Sequence, residues 1–151
     1  MLPKLNFPQY SFRIKKSKDK LFIFDIVRRK FVNLSPEEWV RQHIIAYLSN
    51  EKKFPLSLLT IEKEINLNGR SLRPDIVAFN QSGLPILLVE CKAPDIKLTS
   101  STLDQASTYN LKLGIKNIYL SNGLQHYFLS QQKLGQVSYF SEIPEYSFLL
   151  E

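Results

Sequence analysis

Glu90 and Lys92 stand two residues apart at the end of an apolar run, Ile86-Leu87-Leu88-Val89. Side chains of a strand alternate between its faces, so a carboxylate and an ammonium leave this run on one side while Val89 and Cys91 leave on the other. Charges at the end of a strand buried on both faces need partners or a ligand. Upstream, Asp75 follows Arg73-Pro74 and heads a second strand, Asp75-Ile76-Val77-Ala78-Phe79. Gln81-Ser82-Gly83 reads as a tight turn between the two, so they form an antiparallel hairpin that can bring Asp75 beside Glu90. Two carboxylates that close repel unless a cation neutralises them. Mg²⁺ takes hard oxygen ligands and is often held by one or two carboxylates plus substrate phosphates. The pattern therefore points to a metal–phosphate site, with Lys92 beside the metal to orient a water or stabilise charge on a phosphate oxygen. The plainer alternative makes Asp75 a turn cap and Glu90 a strand-end partner of Lys92.

These residues need elements to hold them. Leu34-Ser35-Pro36-Glu37-Glu38-Trp39 starts a helix: Ser35 as N-cap, Pro36 at the first position, Glu38 where a capping box wants a carboxylate. It runs to about Asn50 with Val40, Ile44, Tyr47 and Leu48 on one face. Before it, residues 10–14, 21–27 and 31–32 read as strands, with a polar turn at Ser17-Lys18-Asp19-Lys20. After it, a strand is expected over 58–65 and a turn at Asn68-Gly69-Arg70. A second helix runs from near Ser101 to Leu113, capped by Ser101 and Asp104 and ended by Gly114. Strands follow at 117–120, 125–129 and 137–140. Helix, three strands, helix, strands is the order of an α/β (α+β) fold with a mixed central sheet flanked by helices. Residues 1–33 form a basic N-terminal β-hairpin extension, and residues 34–151 the main domain.

Bulk composition bounds the rest. A chain of 151 residues with 44% hydrophobic and 23% charged residues is expected to be a folded domain. No apolar run approaches the roughly 20 residues of a membrane helix, and no signal-peptide core appears near residue 1. One cysteine makes no internal disulfide, so a cytoplasmic protein is the simplest reading. The net charge is +6, and its excess lies in the first thirty residues, where nine Lys/Arg face two acids. Arg13, Lys15, Lys16, Arg28 and Arg29 there could meet nucleic-acid phosphates, or could form a solvated hairpin whose lysines guard an edge strand. Cys91 reads as a small buried hydrophobe. His43 and His126 show no zinc spacing.

Pro74-Asp75, a fourteen-residue gap, then Glu90-Cys91-Lys92 resembles the PD-(D/E)xK nuclease motif. Glu37-Glu38 resembles the acidic first helix of that fold, and Gln105-Ala106-Ser107-Thr108-Tyr109 its Q-x-x-x-Y element, with Gln105 and Tyr109 on one helix face. The set from Pro36 through Ser121-Asn122-Gly123 resembles the N-terminal nuclease domain of type I restriction enzyme R subunits, over roughly residues 34–129. The resemblance implies Mg²⁺, or Mn²⁺ in its place, on Asp75, Glu90 and the backbone carbonyl of Cys91. Lys92 then positions the attacking water. Glu38, with Glu37 as rival, supplies the helix carboxylate, Gln105 touches a phosphate or orders the site, and Tyr109 supports it; Arg41 and Arg73 could meet phosphate or hold ordinary surface roles. It implies a DNA endonuclease whose partners are DNA and either a second copy of the chain or other restriction-system subunits. RNA cleavage and a DNA-binding module of low turnover are the alternatives. No G-x-x-x-x-G-K-[ST] loop is present, so neither a nucleotide cofactor nor a translocating motor is expected.

Overall fold

A computed structural model describes residues 2–133, 136–140 and 142–150, apart from the side chains of Tyr109, Gln132 and Lys133. Three strands come first: β1 (Ile14–Ser17), β2 (Lys20–Asp25) and β3 (Lys30–Asn33), paired antiparallel in that order. Lys18 and Asp19 both have positive φ, 50° and 64°, the two-residue turn that suits the twist of a hairpin. This turn fixes β1 at Ile14–Ser17, later in the chain than the alternation of residues 10–14 suggests.

Helix α1 (Pro36–Asn50) follows. The Ser35 hydroxyl accepts the Glu38 amide at 3.1 Å, and Pro36 opens the first turn as expected. The returning half of the box is absent: the Ser35 amide donates to the Asn33 carbonyl, which leaves the Glu38 carboxylate for other partners. Val40, Ile44, Ile45 and Leu48 are fully buried.

The central sheet has six strands in the order β11-β10-β9-β8-β7-β4. These are β4 (Leu59–Ile61), β7 (Ile76–Phe79), β8 (Pro85–Cys91), β9 (Asn117–Ser121), β10 (His126–Lys133) and β11 (Gln136–Phe140). A small hairpin, β5 (Ile65–Leu67) and β6 (Arg70–Leu72), is inserted between β4 and β7. The expected strand over 58–65 is therefore two. Glu62 breaks it: its φ is 50°, and its amide turns to the Asp75 carbonyl at 3.1 Å.

Among the described strands of this sheet, only β8 and β9 pair in parallel. A parallel pair needs a crossover, and helix α2 (Ser100–Leu113) supplies it. Its N-cap is Thr99, with a reciprocal box to Thr102, two residues ahead of the expected Ser101. Gly114 ends it with φ 68°. The sheet is covered on both faces. Ile76, Ala78, Leu87, Val89, Cys91, Tyr119 and Phe128 pack with α1, while Val77, Leu88, Ile118 and Leu129 pack with Ala106 and Leu113 on the side of α2. Burial on both sides explains the unbroken apolar run of β8. The mixed sheet, its flanking helices and the N-terminal antiparallel strands match the fold class read from the sequence.

Candidate active site

The β7–β8 register pairs Ile76 with Val89 and Val77 with Leu88, so one further step sets Asp75 opposite Glu90. The Cys91 amide donates to Asp75 Oδ2 at 2.7 Å, tying the aspartate to the other strand. Lys92 extends β8 by one more bond, its amide donating to the Ser121 carbonyl at 2.9 Å. Lost hydration and the neighbouring Asp75 carboxylate push the Glu90 carboxyl up to about 7, against a partial opposing effect of Lys92. Glu90 is open to solvent, yet crowded by a second carboxylate. The Cys91 thiol is buried and pushed up by burial, then by Asp75, which makes it inert.

The two helix acids part company. Glu38 is buried, and its carboxylate accepts from Arg41 (2.8 Å), Arg28 (3.0 Å) and Gln42 (3.0 Å). Glu37 is half-exposed; its carboxyl is raised by burial and then by Asp75, with Arg41 and then Lys92 opposing. Both helix acids meet Arg41, which also meets Asp75, but Glu37 is the more exposed of the two while Glu38 is buried among its partners. Arg28 belongs there too: its guanidinium meets Asp25 at 2.7 Å, Glu38 at 3.0 Å and Glu62 at 3.6 Å. A phosphate would have to displace those carboxylates.

Glu90 and Lys92 open into a recess of about 380 Å³ whose walls include Leu88, Leu113, Ile118 and Leu120. Arg73 and Gln105 are exposed and lie on the same recess; Arg73 Nε donates to the Glu62 carbonyl at 2.7 Å. Tyr109 lies on α2, and its side chain falls outside the described residues. The remaining basic residues stay on the N-terminal sheet. Arg13 stacks over Phe24 and Phe31, with its guanidinium carbon 4.5 and 5.4 Å from the ring centres, and Lys15 lies 4.2 Å over Phe31. Lys16 lies 3.9 Å from Asp19, both exposed, and Arg29 is exposed in a turn with φ 55°.

Among the described residues, no three His, Cys, Asp or Glu side chains cluster closely enough to hold a metal unaided. The groups present are two adjacent carboxylates and a strand-end carbonyl. That set fits Mg²⁺, which usually keeps several waters and completes its shell with substrate phosphate. Sequence reasoning missed Asp25, Gln42 and Glu62 as partners in this neighbourhood. The only local signal for Arg41 was its spacing of three and four from Glu38 and Glu37.

A mixed sheet carrying paired acids at the end of its central hairpin, flanked by helices, defines a restriction-endonuclease-like protein. The chain belongs to the family described as the N terminus of type I restriction enzyme R proteins, whose model matches residues 36–144. Family membership supports a nuclease-like function. No curated protein sequence matches the chain. One similar solved structure is a "putative nuclease belonging to DUF820" from Anabaena variabilis, with 15% identity, a TM-score of 0.51, and coverage of 90% of this chain and 87% of that one. Another is a fragment of a "putative HsdR subunit of a type I restriction enzyme" from Vibrio vulnificus, with 20% identity and a TM-score of 0.55. That match covers 78% of this chain and 25% of the other, so the chain spans about a quarter of its length. At such identities the likeness is one of fold. No described helix is long and apolar enough to cross a membrane.

Proposed function

We propose that the chain is a Mg²⁺-dependent deoxyribonuclease module that hydrolyses DNA phosphodiester bonds. The carrying observation is the convergence of Asp75 and Glu90, locked across β7 and β8 by the Cys91 amide, with Lys92 beside them. Asp75, Glu90 and the Cys91 carbonyl would hold the ion, which when bound supplies Lewis-acid polarisation of the phosphate and a more acidic water. Lys92 places a positive charge where a phosphate oxygen gains negative charge, and can hold the attacking water by hydrogen bonds. Glu37 stands on the helix side of the same group and can orient that water. Arg73 and Gln105, on the recess, give donors to the neighbouring phosphates. DNA is the substrate class that the family's restriction setting favours, and other restriction subunits or a second copy of the chain are the natural partners.

The test is supercoiled plasmid incubated with the protein and Mg²⁺, beside EDTA and Lys92→Ala arms. Nicking or linearisation that disappears in both arms supports the reading. Intact plasmid with folded protein and either Mg²⁺ or Mn²⁺ would refute autonomous cleavage and leave DNA binding as the function to measure.

A further inference from the structure

Arg41 is 3% exposed, and its one guanidinium touches four carboxylates. Nη1 meets Glu38 at 2.8 Å, while Nη2 meets Asp75 at 3.0 Å, Glu62 at 3.2 Å and Glu37 at 3.4 Å. Neighbouring acids hold it firmly in its charged form, against the opposing effect of burial. The arrangement continues outward. Glu38 is fixed from its other sides by Arg28 and Gln42. Both of those reach Asp25, which is wholly buried and also accepts the amides of Val27 and Arg28 at 2.8 Å each. A chain of charge-assisted bonds thus runs from the turn after β2, through α1, to Asp75.

At Asp75 the result is specific. Oδ1 accepts from Arg41 and Oδ2 from the Cys91 amide. Each carboxylate oxygen has two acceptor positions, so one remains on each. Without Arg41 the side chain loses the bond that ties it to α1 and keeps the Cys91 amide on the strand side. Arg41 Nε has no hydrogen-bond partner among the described residues, a cost accepted at a site where four acids compete for the two outer nitrogens.

We propose that Arg41 is a positioning residue: it presets the Asp75 carboxylate for a divalent cation and supplies the counter-charge that keeps Asp75, Glu37 and Glu62 together before the cation arrives. The proposal rests on the metal reading above. Groups that orient metal ligands typically change metal affinity about 10–100-fold when removed. Two effects of removing Arg41 have opposite signs, which makes the measurement decisive. Losing its positive charge alone would tighten cation binding, and losing its grip on Asp75 would weaken it.

Mn²⁺ binding to the full chain without DNA, followed by the electron paramagnetic resonance signal of the free ion, reads the balance. Arg41→Gln is expected to bind about 10–100-fold more weakly than wild type. Arg41→Lys keeps the charge but cannot span Glu38 and Asp75 together, so it should fall between. Affinity that is unchanged or tighter in a folded Arg41→Gln protein would overturn the proposal. If that variant does not fold, wild-type affinity in Arg41→Lys would overturn it equally. A wild-type protein that binds no Mn²⁺, with Asp75→Asn indistinguishable from it, would instead refute the metal reading on which the proposal stands.

Discussion

Replacing Glu90 by glutamine should spare the metal-free protein the part of its stability loss between pH 5 and pH 8 that Glu90 causes. The Glu90 carboxyl moves from 4.5 in the unfolded chain to about 7 in the folded one. Between those values the folded state holds the proton and the unfolded state does not. The stability it contributes is therefore complete below pH 4.5 and lost as pH rises through 7. The full linkage would be about 3 kcal/mol; Glu90 is solvent-exposed, and screening reduces this to about 1 kcal/mol. Glutamine mimics the protonated carboxyl, so the two proteins should differ least near pH 5, and the variant should be the more stable at pH 8, by up to about 1 kcal/mol. Other groups titrate in the same range. Burial lowers His43 and His126, so their contributions grow as pH rises through their range, while Glu37 is raised and acts like Glu90. The difference between the two proteins isolates Glu90. Urea denaturation in EDTA at pH 5, 6, 7 and 8 gives that difference. A gap between wild type and Glu90→Gln that stays constant across this range would refute the account of Asp75 and Glu90 as neighbouring carboxylates.

Three further perturbations test the framework. Gly123→Ala puts a methyl 2.8 Å from Leu5 Cδ2 and 3.1 Å from Val40 Cγ2 on a backbone with φ 88°, so chemical denaturation should show a loss of about 1–3 kcal/mol. Asp25→Ala leaves Arg28 and two amides without their buried acceptor and should cost about 3–5 kcal/mol. The Asp25 carboxyl is lowered by its hydrogen bonds to Arg28 despite burial, so its contribution is present above 3.8 and is lost as pH falls through its folded value. Cys91, buried with a raised thiol, should resist iodoacetamide at pH 8 in the native protein and react in urea; modification at equal rates in both would contradict the placement of β8.

What could be read from the sequence was local. Ser35-Pro36 marks the start of α1 because a hydroxyl cap and a missing amide act within one turn. Asp75 and Glu90 meet because a short turn and two apolar runs admit one sensible register. Cys91 points to the core because alternation along a strand leaves no choice. The sequence was silent where distant groups decide. Glu38 carries a capping-box signature, but its carboxylate goes to Arg28 and Arg41, and Arg28 lies in a segment whose basic residues looked free for phosphate. Nothing near residue 38 announces a partner ten residues upstream. Glu62 turns out of its strand because its amide finds Asp75, another pairing that periodicity cannot register. Thr99 and Thr102 displaced Ser101 and Asp104 as the cap of α2 because a threonine side chain closes the same reciprocal pair of bonds.

Asn6 ties the start of the chain to the far end of the sheet. Its amide donates to the Gly123 carbonyl at 2.7 Å and its side chain to the Leu124 carbonyl at 2.8 Å, and its carbonyl meets His126 Nε2 at 2.9 Å. Nearby, Trp39 Nε1 donates to the Pro3 carbonyl at 2.8 Å, and Phe12 lies 4.8 Å from the His43 ring. These early residues leave the ribosome well over a hundred residues ahead of the loop that receives them. At translation rates of about 5–20 residues per second, they wait roughly 6–24 s for it. Through that interval Asn6 lacks its partners at Gly123, Leu124 and His126, while Phe7 and Phe12 can already meet Tyr47, Trp39 and His43 on α1. The N-terminal strip can thus settle on α1 early, but its tie to the β9–β10 loop closes only after that loop is made.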